Sequence, residues 1–92
     1  MHPPLAIDGA KVIEWAWSDD AFGQIPYTDG SASETVHGFA LCSYPNSPNI
    51  YRFSCDIEWE CLQDQVYKNI EQAKNDMPVQ YSTTGIIWNK TT

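Results

Sequence analysis

A chain of 92 residues with 42% hydrophobic residues, four tryptophans and a net charge of −7 is one domain that buries about 60–65% of its unfolded surface. The charge excludes direct nucleic-acid binding, which rests on neutralising phosphates with Lys and Arg. No apolar stretch approaches the roughly 18–20 residues of a membrane span, and the start "MHPPLAIDGAK" lacks the basic and apolar regions of a signal peptide, so the expected location is the cytoplasm.

Residues 1–10 carry Pro3, Pro4 and Gly9 and are expected to lie loosely on the surface of the single domain 1–92. "KVIEWAWS" follows with a period of two, which reads as a strand carrying Ile13, Trp15 and Trp17 on one side and Val12, Glu14 and Ala16 on the other. Residues 18–34, "SDDAFGQIPYTDGSASE", are a long loop rich in Gly, Pro, Ser and Asp. Loops of that length in small domains are usually functional or disordered, and Phe22, Ile25 and Tyr27 give this one apolar anchors.

"TVHGFALCSY" and "NIYRFSCDIEW" flank the turn signal "PNSPN" and form an antiparallel hairpin. A turn centred on Ser47 sets Leu41 opposite Phe53 and Phe39 opposite Cys55. The second strand then buries Phe53, Cys55, Ile57 and Trp59 and leaves Ser54, Asp56 and Glu58 wet. "ECLQDQVYK" crosses to a helix opened by Asn69-Ile-Glu-Gln72, a capping-box pattern. Ile70, Ala73 and Met77 share a face of that helix, Pro78 ends it, and "GIIWNK" closes the fold as a strand. The expected class is α+β: a mostly antiparallel sheet of about four strands with one short helix, in the order β, long loop, β, β, α, β.

Together, "VIEWAWSDDAFGQIPYTDG", "GFALCSY", "IYRFSCDIEWE" and "VYKNIEQAKNDMPVQY" with "IIWNK" resemble small uncharacterised bacterial proteins of the kind encoded in mobile integron gene cassettes, over roughly residues 11–90. The resemblance implies a bacterial, intracellular origin on a mobile element and an accessory role such as antitoxin-like binding or small-molecule sensing. It brings no activity and no site residues with it.

Chemical signatures are sparse. Cys42, Cys55 and Cys61 lack the paired spacing of a zinc site, and His2 and His37 have no partner at ligand spacing. In one extended strand Cys55 and Cys61 would lie about 20 Å apart, and only a bend after Trp59 would join them. Three cysteines, an odd number, fit reduced thiols. No phosphate loop, nucleophile elbow or dinucleotide fingerprint occurs, so no metal, cofactor or catalytic residue is assigned.

The acids are unevenly placed. Residues 19–64 hold eight of them and one base, Arg52, and so carry the whole net −7. This either keeps an aromatic-rich chain in solution or attracts a basic partner. The leading expectation is a non-enzymatic interaction protein, as an antitoxin or immunity protein is. It would meet a basic protein through an acidic, aromatic-bearing surface built from residues 18–34 and the polar face of 54–60, with Asp56, Glu58 and Glu60. The surplus of aromatics favours a homo-oligomer, a dimer above all. The alternative is a pocket for a cationic or amphipathic ligand lined by Trp17, Asp19, Asp20, Phe22, Tyr27 and Tyr44, where an indole beside carboxylates would hold the cation. A third and weaker expectation is a small hydrolase using the same acids.

Overall fold

The strand that opens the fold breaks its own alternation. In the computed structural model, which describes residues 1–26, 33–78, 81 and 86–91, β1 (Ala6–Ile7) turns back into β2 (Ala10–Trp17). The β2 register against β5 (Gly38–Ser43) then shifts between Val12 and Glu14. This bulge at Ile13 reverses the phase of the strand. Ala10 and Val12 enter one core, against which Trp15 and Trp17 also pack, while Ala16 enters a second core. Simple alternation would have kept Val12 with Ala16. Within residues 1–10, expected to be loose, Met1 and Leu5 are exposed, while Ile7 and Ala10 are buried at 5% and 0% exposure and β1 pairs β2 antiparallel.

Next come β3 (Gly23–Ile25) and β4 (Glu34–Val36), which form a two-stranded sheet of their own. After them run β5, β6 (Ile50–Cys55), β7 (Cys61–Tyr67), the helix α1 (Ile70–Asn75) and β8 (Asn89–Lys90). The main sheet has the order β1-β2-β5-β6-β7, with β8 also on β2, and its pairings are antiparallel. The architecture is thus an antiparallel sheet with one short helix, as expected. The strand count is corrected from about four to six in the main sheet plus the separate hairpin. β7 escaped the sequence reading because Gln63, Asp64, Gln65 and Val66 are all exposed. Only its ends pack, Cys61 and Leu62 against the cores and Tyr67 against Arg52, so the strand carries no apolar period. Trp88 lies outside the closing strand, which shrinks to two residues.

The β5–β6 hairpin forms, but one residue out of the expected register. Ala40 faces Phe53 and Gly38 faces Cys55. The cause is burial on both faces: Gly38 through Cys42 and Arg52 through Cys55 are all buried. With no wet face to satisfy, apolar matching does not choose the register, and small residues opposite large ones do. The first core joins Val12, Ala40, Cys42, Phe53, Cys55 and Trp59, and the second joins Ala16, Phe22, Val36, Phe39 and Tyr81.

A six-residue helix is too short to persist alone, and tertiary contacts hold α1 in place. Asn69 Oδ1 accepts from the Gln72 amide at 2.8 Å, and Gln72 Oε1 accepts in turn from the Lys68 amide at 3.2 Å. From β6, Arg52 is 2% exposed and donates from Nη1 to the carbonyls of Ala73 (2.9 Å) and Asp76 (2.7 Å). These lie at the C-terminal end of the helix, where the dipole favours a cation. Its guanidinium also lies 5.0 Å from the centroid of the Tyr67 ring. Lys74 reaches down to the buried Glu14 at 2.7 Å. Arg52→Met leaves those carbonyls without their donor and costs about 2–4 kcal/mol. Urea denaturation should show that loss, and Arg52→Lys should recover less than half of it, because a compact, strongly hydrated ammonium does not replace the planar guanidinium over the Tyr67 ring.

Candidate functional site

β6 ends at Cys55 rather than running on through Trp59, and the cause is Asp56. Its Oδ1 accepts from the amides of Glu58 and Glu60, both at 2.9 Å, so the side chain copies a backbone turn. The Trp59 amide donates to Asp56 O at 3.1 Å and the Asp56 amide to Glu60 O at 3.0 Å. This closes a tight hairpin between β6 and β7. Its left-handed position, usually glycine, is taken by Trp59 with φ of +64°.

A tryptophan in that conformation costs about 1–3 kcal/mol. The indole offsets it by burial, being only 5% exposed. It lies flat over Gly38, where an added Cβ would fall 2.6 Å from Cζ3 and 2.7 Å from Cη2 of the ring. Gly38 is therefore a glycine for the space above it. The expected burial of Trp59 holds, but through a turn and not a strand face. Ile57, expected to be buried, is 56% exposed.

Trp59 organises an aromatic row. Its ring centroid is 5.2 Å from that of Trp17 and 6.2 Å from that of Trp15, the latter edge-on. His37 stacks on Trp17 at 5.7 Å, and His2 meets Trp15 at 4.8 Å. The His37 Nδ1 lies 3.0 Å from Ser18 O. A carbonyl only accepts, so Nδ1 bears the hydrogen. Trp17 Nε1 donates to Asp19 Oδ1 at 2.8 Å, while Trp59 Nε1 is buried with no partner.

Of the six residues expected to line one pocket, the described ones are divided: Trp17 and Tyr44 pack against the first core and Phe22 lies in the second. Trp17 and Asp19 touch, and Asp20 is exposed beside them. Phe22 is buried in the second core, stacked 4.7 Å from Phe39. Tyr44 packs on Tyr51 at 5.0 Å and donates to Asp8 O. Tyr27 lies outside the described residues. The acids 56, 58 and 60 do not line a strand face as expected: Asp56 is engaged in the turn, while Glu58 and Glu60 are exposed on either side of Trp59. His2, Trp15, His37 and Gly38 were missed as members of the site. The one sequence signal for them is an Asp opening "DIEWE", a turn motif inside an apparent strand.

Two clefts flank the row. One of about 360 Å³ is lined by Pro4, Ala6, Ile7, Asp8, Trp59, Glu60 and Cys61. Another of about 390 Å³ includes His2, Trp15 and Lys90. A larger groove beside α1, about 540 Å³, is walled by Tyr67, Asn69, Gln72 and Asp76 among others. Those groups already cap the helix or bond each other, so the aromatic row is the better candidate. Among the described residues, no three His, Cys, Asp or Glu side chains are grouped to hold a metal.

The hairpin also brings Cys55 opposite Cys61, two residues that an extended strand would hold far apart. All three cysteines are free. Burial pushes the Cys42 thiol up to about 12 and drives Cys55 up further still. Burial, then Asp64 and Asp8, raises Cys61 to about 11. No protein-family model, curated protein or solved structure matches the chain.

Gly38→Ala should cost about 1–3 kcal/mol by driving the indole off the sheet, with a matching change in near-ultraviolet circular dichroism. Gly9→Ala should cost about 1 kcal/mol through its backbone alone, since φ there is +82° and the nearest atom to an added Cβ is 3.9 Å away. Thiols whose folded pKa is raised stabilise fully below their unfolded pKa and lose that contribution as pH rises through the folded one. Stability should therefore be level below pH ~8 and fall by about 1 kcal/mol per buried thiol between pH ~8.5 and ~10. Urea midpoints across that window should show the slope, and Cys42→Ala should reduce it.

Proposed function

We propose that this chain is a non-catalytic interaction protein whose aromatic row, Trp15, Trp59 and Trp17, receives a basic segment of a partner protein, as an antitoxin or immunity protein would. One observation carries the reading. The contact between Trp17 and Trp59 at 5.2 Å joins two acidic stretches that lie far apart in sequence. Asp19 and Asp20 follow Trp17, and Glu58 and Glu60 bracket Trp59. An Arg or Lys side chain over an indole face gains about 0.5–2 kcal/mol, and a carboxylate at the rim adds charge-assisted hydrogen bonds. Arg suits the site better than Lys, because its planar guanidinium stacks while it bonds. The resemblance to integron-cassette proteins agrees with an accessory role of this kind.

A second reading, a site for a small cationic ligand, is favoured by the cleft in which Asp8 and Glu60 share walls with Trp59. The two readings differ in size of ligand and in place. A peptide along the row needs Trp17 and Asp19, whereas an amine in the cleft needs Asp8 and Glu60.

An oligo-arginine peptide titrated against intrinsic tryptophan fluorescence tests the first reading. Binding should weaken steeply between 50 and 500 mM salt, as an exposed electrostatic contact does at roughly these concentrations. Asp19→Asn with Glu58→Gln should weaken it about tenfold. Asp64→Asn with Glu71→Gln, which removes as much of the −7, should weaken it by less than about threefold. Equal losses in the two pairs would mean that net charge, and not this face, binds the peptide.

A further inference from the structure

We propose that Cys55 and Cys61 form a redox-active dithiol, which low-molecular-weight disulfides oxidise to an intramolecular disulfide across the hairpin. The inference goes beyond the interaction reading and does not rest on it. Cys55 closes β6, Cys61 opens β7, and the two are register partners. The next pair outward is joined by the bond from the Asp56 amide to Glu60 O at 3.0 Å. The cysteine pair therefore takes the alternate, non-hydrogen-bonded site, where Cα atoms approach to about 4.5 Å. That separation is within the roughly 4.4–6.8 Å that a disulfide spans. The register shifts by one residue between Ser54 and Cys55, but the two cysteines still share a face, because both belong to the first core, Cys55 within it and Cys61 packed on its margin.

Exposure sets the order of events. Cys55 is fully buried, while Cys61 is half-buried and lines the cleft beside Trp59. The Cys61 thiol donates to Gln63 O at 3.6 Å, a weak bond that a rotation about χ1 releases. Cys61 as thiolate attacks one sulfur of the disulfide RSSR, forming a mixed disulfide and expelling RS⁻, which takes up the proton that Cys61 lost. Cys55 then gives up its proton and attacks the Cys61 sulfur, expelling the second RS⁻, which leaves as RSH. Two protein thiols and one RSSR become one protein disulfide and two RSH, and the two electrons pass from the cysteines to RSSR. Cys42 takes no part, because its register partner on β6 is Tyr51. The new bond closes the turn that carries Glu58, Trp59 and Glu60 and clamps the left-handed residue in place.

Incubation of the reduced full chain with glutathione disulfide tests this. The expected product has lost two hydrogens in intact mass, shows a Cys55–Cys61 link in peptide mapping, and reverts with dithiothreitol. Its Tm should rise by roughly 5–15 °C. The rate should rise about tenfold per pH unit over pH ~7–9, because the attacking thiolate is scarce there. Cys42→Ser should oxidise as the wild type does. Cys55→Ser should stop at a glutathione adduct on Cys61, and Cys61→Ser should give neither adduct nor link. An unchanged mass after a day in excess oxidant, a link between any other cysteines, or a persistent adduct on wild-type Cys61 overturns the proposal. Peptide binding enters none of these readouts, so their failure is separable from failure of the interaction reading.

Discussion

The indole of Trp59 lying on the bare backbone of Gly38 is the contact on which the first face of the sheet depends. Remove the space above Gly38 and the ring has nowhere to lie; remove the ring and nothing offsets the left-handed backbone beneath it. The tight turn, the start of β7 and the seating of Trp17 and Trp15 all follow from that ring being down. The strain is local and the compensation is tertiary, so the turn exists only as part of the folded sheet. A glycine at position 59 would relieve the backbone and lose the aromatic row. That trade explains why a bulky residue stands where hairpins ordinarily place a small one.

The opposite face solves a different problem. β5 and β6 are buried on both sides; Phe22 and Val36 at the β3–β4 hairpin and Tyr81 close the second core, and the short helix α1 is set against β6. Arg52 holds that helix by crossing the interface, with its stem in the core and its head on the helix-end carbonyls. The pair formed by Lys74 and the buried Glu14 fixes the other approach. Breaking either would strand a buried charge, so these contacts fix where the helix lies more than they add to stability.

The fold was legible wherever a residue's role was local. "PNSPN" marked the β5–β6 turn, Asn69 and Gln72 marked the helix start, and "KVIEWAW" marked β2. It was illegible where a role depended on a distant partner. Nothing near Ile13 announces a bulge, because the bulge serves two cores that belong to other strands. β7 has no apolar period, being held by its neighbour's backbone. The register slip followed from giving β6 a wet face at Ser54, which is 3% exposed, when both faces of β5 and β6 are covered. The candidate site was read least well. Phe22 and Tyr44 looked like pocket walls because they were aromatic and lay near turns, but Phe22 faces the second core and Tyr44 sits near Asp8. Trp17 beside Asp19 was the part that sequence proximity alone could supply.

The charge takes on a different meaning once these contacts are placed. Of the five basic side chains, Arg52 and Lys74 are committed inside the molecule, so the outward-facing cations are reduced to lysines 11, 68 and 90. Among the carboxylates Glu14 is buried in its ion pair, whereas Asp19, Asp20, Glu58 and Glu60 face water around the aromatic row. A uniform coat of acids serves to keep copies apart. Acids gathered beside the half-buried Trp15 and Trp17 do something else: they lower the energy of a cation at one place and offer it an apolar surface to lie on. Repulsion between copies needs only the total, whereas this arrangement needs the Trp17–Trp59 contact. The proposed recognition rests on that dependence on geometry.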